Sequence, residues 1–511
     1  MKRLTALLLA GLLCLSLCAC GGEPEAPATQ TPEVEPSTTP VETPGFALAY
    51  DPGASLHPIT GDSQVNQMLT SLVYEGLYAL DDTFAPQPVL AETAEMDEAA
   101  LVWTITLKSG VLFSDGTPLE AGHVVSSLNA ARKSGLYASR LSGIASVRAK
   151  EDQVVITLSS PHGALPSLLD IPIVLETGEG DAPLGTGRYR YAQNGGQLYL
   201  LANYNREVSL PYDTIDLCPV TAADERISAF DSGRVSAVIT DFLSPYSLSY
   251  ACDYESWDYD TTDLLYVGFK TVDSLCADAT VRKAVACAVD RAGLVNEVLG
   301  GHGDPVTLPV SSLHTDWYEP AAEALEYAPE QAAALLSQAG YIKNEEDGLW
   351  YQGRSPLTLT LLVNSDNPTK TAIADRLAEA LAELGVTVTV SKQLWKDYVA
   401  ALEKGSFDLY LGEVRLTADF DVTELLTGGL NYGGYDAAPL LEKLAVWKQS
   451  SGLERHWRAG AFWNLFVEEV PFAPLCFKQE SMLVRWDAGV WPTPIRTDPF
   501  LDMENWLRAT Q

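Results

Sequence analysis

The chain has 511 residues, of which 47% are hydrophobic and 20% are charged, and its formal net charge is −35 at pH 7. This length and apolar content predict a large globular protein of two or three domains. Because so negative a surface repels phosphate backbones, the composition argues against nucleic-acid binding. The acidity is explained most simply by a solvated surface that keeps the protein soluble.

The first 19 residues have the order of a secretory signal peptide. Lys2 and Arg3 precede an apolar run that ends at Ala19 and is short for a bilayer span. The segment LCAC, residues 17–20, resembles the bacterial lipobox, which implies cleavage before Cys20 and acylation of its thiol. We therefore expect export and a lipid anchor. The alternatives are an ordinary secretory signal with an incidental cysteine and an uncleaved anchor.

Residues 20–45 are predicted to form a tether. The stretch from Gly21 to Gly45 holds six prolines and five glutamates without an aromatic or basic residue. Such a composition cannot bury enough apolar surface to fold. Extended at about 3.1 Å per residue, the stretch reaches on the order of 70 Å from the lipid. We expect a folded body held at the outer face of the cytoplasmic membrane.

The chain beyond Cys20 carries no metal-binding or redox motif. It has no C-x-x-C spacing, and its histidines form no H-x-H or H-E-x-x-H pattern. We therefore expect neither a metal site nor a cofactor. Disulfide formation is left open for the five remaining cysteines, Cys218, Cys252, Cys276, Cys287 and Cys476.

The first half of the folded body is predicted to be rich in strands. It begins with an apolar repeat over residues 63–73, which predicts one amphipathic helix. Alternating residues at 101–108 and the VVITL stretch at 154–158 predict strands. The Asn-Gly-Gly sequence at 194–196 predicts the turn of a β-hairpin.

The second half alternates between helical and strand patterns. Helical periodicity covers residues 279–299 and 329–338. A strand pattern at 357–363, a helical pattern at 371–384 and a second strand pattern at 386–390 then follow in order. This β-α-β order predicts an α/β lobe with parallel strand pairing.

Nine sequence segments, spread over nearly the whole mature chain, can be compared in order with the motifs of known families. They are LVYEGLYALD (72–81), PVLAETAEM (88–96), LKSGVLFSDGTPLEAGHVVSSL (107–128), PLGTGRYRY (183–191), TAADERISAFDSGRVSAVI (221–239), LLYVGFKTVDSLCADATVRKAVACAVDR (264–291), AALLSQAGY (333–341), IADRLAEALAELGVTVTV (373–390) and FDLYLGEV (407–414). Together, behind a lipobox, they resemble family 5 of the bacterial solute-binding proteins, the receptors of peptide-type ABC importers.

The resemblance implies an α/β, two-lobed periplasmic-binding-protein-like fold (large type II, cluster C) with a β-rich subdomain inserted in the first lobe. Residues 46–268 and 477–511 would form lobe I, with the inserted subdomain at about 66–170. Residues 269–476 would form lobe II. The chain would cross between the lobes near Tyr266-Val267-Gly268 and Pro474-Leu475-Cys476.

The function implied is that of an extracellular substrate-binding lipoprotein. A monomer would capture a short peptide between its hinged lobes and deliver it to the permease and ATPase subunits of an ABC importer. Open alternatives are a non-peptide solute, such as a metal chelate, an oligosaccharide or an amine, and a surface receptor without import. A secreted hydrolase is a remote alternative, because the sequence has no G-x-S-x-G, P-loop or HExxH motif. We therefore expect no enzymatic activity.

The resemblance also points to ligand-binding residues. In peptide-binding members an aspartate accepts the ligand's α-amino group, and Asp419 stands at the matching position in TADFD, residues 417–421. The alternative is that Asp419 or Asp421 caps the helix predicted at VTELL. Arg415 is a candidate for pairing with a ligand carboxylate, or with Glu413 or Asp419 itself.

Further candidates border the expected cleft. Trp395 and Tyr398 are predicted to lie in a loop there, with ligand packing and core packing as alternatives. The remaining candidates are Tyr432, Tyr74, Glu75, Gly76, Leu77 and Tyr266. Two positions depart from the family pattern: Gly122-His123 replaces an acidic pair, and Lys270 replaces an asparagine.

Overall fold

The computed structural model describes residues 45–178, 182–206, 209–241, 250–314 and 320–506. These described residues belong to one compact unit. The predicted signal peptide, Cys20 and the tether up to residue 44 lie outside the described residues. Among the helices that are described, none is long and apolar enough to cross a membrane.

The described part of the chain contains twenty strands. They are β1 (Phe46–Tyr50), β2 (Tyr78–Leu80), β3 (Pro86–Pro88), β4 (Ala91–Met96), β5 (Val102–Leu107), β6 (Ile144–Lys150), β7 (Gln153–Leu158), β8 (Tyr189–Asn194), β9 (Gln197–Ala202), β10 (Thr214–Pro219), β11 (Ala237–Asp241), β12 (Tyr254–Phe269), β13 (Gly303–Pro305), β14 (Ile342–Lys343), β15 (Trp350–Gln352), β16 (Ser355–Pro356), β17 (Thr358–Asn364), β18 (Thr387–Gln393), β19 (Leu409–Arg415) and β20 (Phe472–Arg485).

The same residue ranges contain twelve α-helices and several short 3₁₀ turns. The α-helices are α1 (Gln64–Gln67), α2 (Thr70–Val73), α3 (Ala121–Ala131), α4 (Ala223–Asp231), α5 (Ala279–Cys287), α6 (Arg291–Val298), α7 (Pro329–Gln338), α8 (Pro368–Leu384), α9 (Trp395–Lys404), α10 (Thr423–Thr427), α11 (Ala438–Gln449) and α12 (Gly452–Glu469).

One seven-stranded sheet runs through the middle of the molecule. Its strand order is β11-β20-β12-β19-β17-β18, with β13 paired to β20. Two four-stranded sheets lie in the first half, with orders β1-β10-β9-β8 and β4-β5-β7-β6. The second of these is the β-rich subdomain expected in the first lobe. The fold is therefore mixed α/β and two-lobed, as predicted.

Two large hydrophobic cores divide the chain. The first core takes residues between Phe46 and Leu217, Ala237 of β11, Tyr259 of β12, and others between Met482 and Trp506. The second core takes residues between Leu264 and Phe477, and it also includes Phe84 from the first half. Because β12 and β20 contribute to both cores, these two strands connect the cores.

The joining strands change register where they pass from one core to the other. Residues 254–260 of β12 pair with 479–485 of β20, and the register shifts before pairing resumes at Leu264. At this break, threonine hydroxyls take the place of backbone donors. The Thr261 hydroxyl donates to the Lys478 carbonyl (2.6 Å), and the Thr262 hydroxyl donates to the Leu416 carbonyl (2.7 Å). This break lies a few residues before the crossing expected near Tyr266.

The predicted β-α-β unit is confirmed as β17-α8-β18, with parallel strands. Asn367 caps α8 by accepting from the backbone N–H groups of Thr369 and Lys370, and Gly385 ends it at φ +99°. One apolar face of α8 is buried, including Leu377. Burying each such leucine stabilises the fold by about 1.5–3 kcal/mol.

The prediction of one continuous helix over residues 63–73 is wrong. Residues 63–73 form two short helices, α1 and α2, which meet at Met68-Leu69. The side chain of Asn66 is buried and donates to the carbonyls of Asp51, Ala54 and Ser55. These tertiary bonds hold α1 against the preceding loop and override the local helical pattern.

All five cysteines of the folded body are free thiols. Cys276, Cys287 and Cys476 are buried in the second core. Burial raises the pKa of the Cys276 and Cys476 thiols to about 12, so both stay protonated at neutral pH.

Candidate functional site

Asp419 lies in the loop that connects β19 to α10, and only 3% of its surface is exposed. Its Oδ2 accepts from Nε2 of His162 at 2.9 Å, and its Oδ1 accepts from the Thr417 hydroxyl. Burial alone raises the pKa of this carboxyl, but the hydrogen bonds from His162 and Thr417 outweigh burial. The pKa of Asp419 is therefore held well below its usual range.

His162 reaches Asp419 from the other half of the chain. It follows β7, and its backbone is fixed because its N–H donates to Ala100 and its carbonyl accepts from the Trp103 indole. The backbone N–H of Ala164 donates to Nδ1 of His162 at 3.2 Å. Since Nδ1 accepts, the proton lies on Nε2, which donates to the carboxylate. His162 thus reaches the carboxylate through Nε2, and Asp419 keeps its negative charge.

The loop that carries His162 fits closely against the end of α11. The backbone N–H of Gly163 donates to the Lys448 carbonyl at 2.6 Å. A Cβ atom at position 163 would lie 2.1 Å from the Ser450 carbonyl oxygen. Only glycine permits this approach, so the backbone itself sets the distance between His162 and Asp419.

Asp419 is followed by a strained phenylalanine. Phe420 has φ +54°, a left-handed conformation that bulky residues rarely adopt. Its ring meets the edge of Phe84, which has φ +63°, with centroids 5.8 Å apart. Two strained residues from opposite halves of the chain thus pack together beside the buried carboxylate, and such strain is concentrated at functional sites.

Two buried arginines influence Asp419 through space. Arg140 forms an ion pair with Asp170, and Arg455 lies over the Trp447 ring at 4.9 Å. Burial lowers the pKa of both guanidinium groups, and the charge of Asp419 opposes that shift. Asp419 is therefore ionised, and the positive charge of Arg455 helps to keep it so.

The helix-cap alternative applies to Asp421 and not to Asp419. The carboxylate of Asp421 accepts from the Thr423 backbone N–H at 2.9 Å, next to the start of α10. It also forms an ion pair with Lys448. Asp419 makes no comparable bond to the α10 backbone among the described contacts.

Arg415 binds a partner that the sequence did not indicate. Its guanidinium makes two bonds to the Asp263 carboxylate, at 2.5 and 2.8 Å, rather than pairing with Glu413 or Asp419. Glu413 instead pairs with Lys370 and Lys478. About half of the Arg415 side chain remains exposed to solvent.

These residues form an ion network at the register break of β12. Buried Lys478 pairs with Glu413 and lies 3.1 Å from Asp241 and 3.9 Å from Asp263. Burial lowers the pKa of Lys478, but the three carboxylates outweigh burial and raise it above its usual value. The network therefore fixes charge at the junction of the two lobes.

The aromatic candidates divide into exposed and buried groups. Trp395 and Tyr398 lie in the first turn of α9 and not in a loop, which corrects the prediction. Trp395 is 58% exposed and stacks on Tyr398, whose hydroxyl donates to the Leu411 carbonyl inside the core. Tyr432 is half-buried and meets the edge of Tyr410.

The remaining candidates lie in or beside the cores. Tyr74, Leu77 and Tyr266 are buried, and the Tyr74 hydroxyl donates to the Pro183 carbonyl. Glu75 is partly exposed, accepts from the Thr186 hydroxyl and forms an ion pair with Arg206.

The backbone of Gly76 lies close to Asp170, where a Cβ atom would approach within 2.9 Å. Of the ten candidates, Tyr266 and Tyr432 meet the ring of Tyr410, at 5.8 and 6.0 Å between centroids, and Trp395 stacks on Tyr398 at 5.8 Å. Among the described contacts, no hydrogen bond or ion pair joins these aromatic residues to Asp419.

The positions that depart from the family pattern make local contacts. Lys270 donates to the Gly405 carbonyl after α9, within the second half of the chain. His123 lies in α3, where its Nδ1 accepts from the Glu120 backbone N–H.

No group of three or more metal-ligating side chains occurs among the described residues.

Comparison with known proteins gives one family. The profile of the family described as "Bacterial extracellular solute-binding proteins, family 5 Middle" matches residues 85–429. The oligopeptide-binding protein AppA of Bacillus subtilis is 26% identical over 375 residues, covering 66% of this chain and 67% of AppA.

Solved structures share the fold at lower identity. The periplasmic murein tripeptide-binding protein MppA, in an unliganded open form, matches with a TM-score of 0.74 and 19% identity, covering 91% of this chain and 98% of that one. NikZ from Campylobacter jejuni, solved with Ni(L-His), matches with a TM-score of 0.63 and 20% identity, covering 91% and 99%. Because the family profile spans well over half of the chain, the protein belongs to family 5 of the bacterial extracellular solute-binding proteins of ABC importers.

Proposed function

We propose that the protein captures a short peptide through its free α-amino group, with Asp419 as the counter-charge, and delivers it to the permease of an ABC importer. The observation that carries this proposal is the buried carboxylate of Asp419, whose pKa is held well below its usual range and which accepts from His162 Nε2 and from the Thr417 hydroxyl. A buried carboxylate that stays ionised favours a cationic ligand group.

The bonding capacity of Asp419 allows a ligand ammonium to enter. An ionised carboxylate offers about four acceptor positions, and the described contacts use two of them. An ammonium that reaches this carboxylate forms a charge-assisted hydrogen bond, which is roughly twice as strong as a bond between neutral groups. Because Asp419 is buried, the ligand gains access only when the lobes move apart.

The comparisons support a peptide without deciding the ligand. AppA is an oligopeptide-binding protein and MppA a murein tripeptide-binding protein, whereas NikZ was solved with Ni(L-His). The same fold thus serves several solutes, and the ligand must be argued from the site. The buried carboxylate is what favours a peptide or another primary amine here.

The test is to identify the ligand and then to block its amine. Mass spectrometry of compounds released by unfolding the purified mature protein should recover short peptides. Calorimetry should then show tight rebinding of a recovered peptide and weak binding of its N-acetyl form. Equal binding of both forms would refute the role of Asp419. Recovery of a sugar or a metal chelate would remove the peptide assignment.

We also propose that Cys20 carries the lipid anchor and that the monomeric protein works at the outer face of the cytoplasmic membrane. The family is extracytoplasmic, and the lipobox-like LCAC segment supports the anchor. Cys20→Ser should move the protein from the membrane fraction to the medium. A matched Cys18→Ser variant should stay at the membrane. Retention of unlipidated, processed Cys20→Ser protein would count against the anchor.

A further inference from the structure

A cavity of about 270 Å³ opens where β12 begins and β20 ends. The cavity lies beside the first core. One of its residues, Trp257, stands five residues before Thr262 in β12. The Thr262 carbonyl accepts from the backbone N–H of Leu416, at the start of the loop that carries Asp419. Five residues of strand span about 17 Å. None of the residues that line the cavity is a described partner of Asp419, so the cavity is treated as separate from the ligand site proposed above.

Three tryptophans form the walls of this cavity. Trp257 and Trp491 stand perpendicular, with ring centroids 6.1 Å apart and an interplanar angle of 86°. Trp486 completes the wall. Trp486 is 65% exposed and Trp491 is 51% exposed, so large ring faces are available to a ligand.

The charge at the cavity is negative. Glu255 lines it, and no hydrogen bond or ion pair engages this carboxylate within the described part of the chain. Arg485 also contributes to the lining, but its guanidinium donates to the Phe230 carbonyl (2.8 Å) and pairs with Asp487. Since β12 residues alternate between faces, Glu255 and Trp257 share one face, and the carboxylate lies beside the indole.

We propose that Trp257, Trp486, Trp491 and Glu255, here called the tryptophan cage, bind a small organic cation with a methylated ammonium group. Ring faces attract such cations through their quadrupole, most strongly for tryptophan. Perpendicular rings enclose a rounded group better than a flat sugar ring, which needs one open face. The carboxylate and the net charge of −35 both disfavour anions.

Choline and its uncharged isostere, 3,3-dimethylbutan-1-ol, make the test specific for charge. Titration calorimetry of the mature protein at low salt should show saturable choline binding, with the isostere at least about fivefold weaker. Trp491→Ala and Glu255→Gln should each weaken choline binding about fivefold or more. Binding should also weaken with added salt, because Glu255 is partly exposed.

Two matched variants separate the cage from other sites. Trp457→Ala removes a tryptophan that is 73% exposed on α12 and should not change choline binding. Asp419→Asn should also leave it unchanged, because Asp419 makes no described contact with the tryptophan cage. Unaltered melting temperatures show that the variants fold.

Several results would overturn the proposal. Absence of choline binding, or equal binding of choline and the isostere, would refute a cation site. The first result would leave the exposed tryptophans as a surface for a protein partner. Loss of binding in Asp419→Asn but not in Trp491→Ala would move the bound cation to the site near Asp419.

Discussion

Replacing Asp419 by asparagine should weaken peptide binding while leaving the shape of the site unchanged. The substitution removes the charge but keeps the volume of a side chain that is 97% buried in the folded protein. Removing one partner of a buried charge pair costs about 3–5 kcal/mol. The asparagine carbonyl still accepts one hydrogen bond, worth about 1 kcal/mol. We therefore expect a loss of about 2–4 kcal/mol, or about 30- to 700-fold in affinity.

The assay compares two proteins and two ligands in one cycle. Wild type and Asp419→Asn are each titrated with a free peptide and with its N-acetyl form. If the carboxylate binds the ammonium, each single change removes the same interaction, so the double change costs little more than either alone. Asp421→Asn is the matched control, because Asp421 lies two residues away but pairs with Lys448. Strictly additive effects of the two changes would refute the reasoning.

Three further outcomes follow from the structure. Because the pKa of Asp419 is depressed in the folded protein, its contribution to the free energy of unfolding should be full above the ordinary carboxyl pKa of 3.8 and should decline as the pH falls below it. Acid unfolding of the wild type compared with Asp419→Asn measures this contribution. A contribution that declines as the pH is raised would contradict the prediction. Lys478→Met should cost about 1.5–3 kcal/mol in denaturant unfolding by removing the buried cation that Glu413, Asp241 and Asp263 share. Lys392→Met, in an exposed pair with Asp375, should cost under about 1 kcal/mol; equal costs would refute the burial argument. Gly163→Ala should cost about 1–3 kcal/mol through its contact with the Ser450 carbonyl, and Gly143→Ala, with open space around its Cβ, serves as the control.

Local elements with complete start and stop signals were predictable from the sequence. The helix α8 has an Asn-Pro start and a glycine end, and its apolar face matches the period of a helix. The turn at Gly195-Gly196 joins β8 to β9 with positive φ at both residues, as expected for a hairpin. Such signals act over a few residues, so no distant contact is needed to read them.

Contacts between distant residues were not predictable. The partner of Asp419 is His162, 257 positions away, and that histidine carries no motif. Its one sequence signal is its place in a Pro-His-Gly turn, since such turns expose side chains and allow close backbone approach. Arg415 likewise pairs with Asp263 across two adjacent strands, a register set by the whole sheet.

The position of β20 has a consequence for the order in which the protein folds. This strand lies near the end of the chain, yet it pairs with β11, β12 and β13 and supplies residues to both large cores. Its contacts with β12 join residues more than 200 positions apart, and closing such long loops slows folding. A nascent chain therefore cannot complete either lobe until residues 472–485 have emerged. The order of synthesis therefore delays the folding of both cores until the chain is nearly complete.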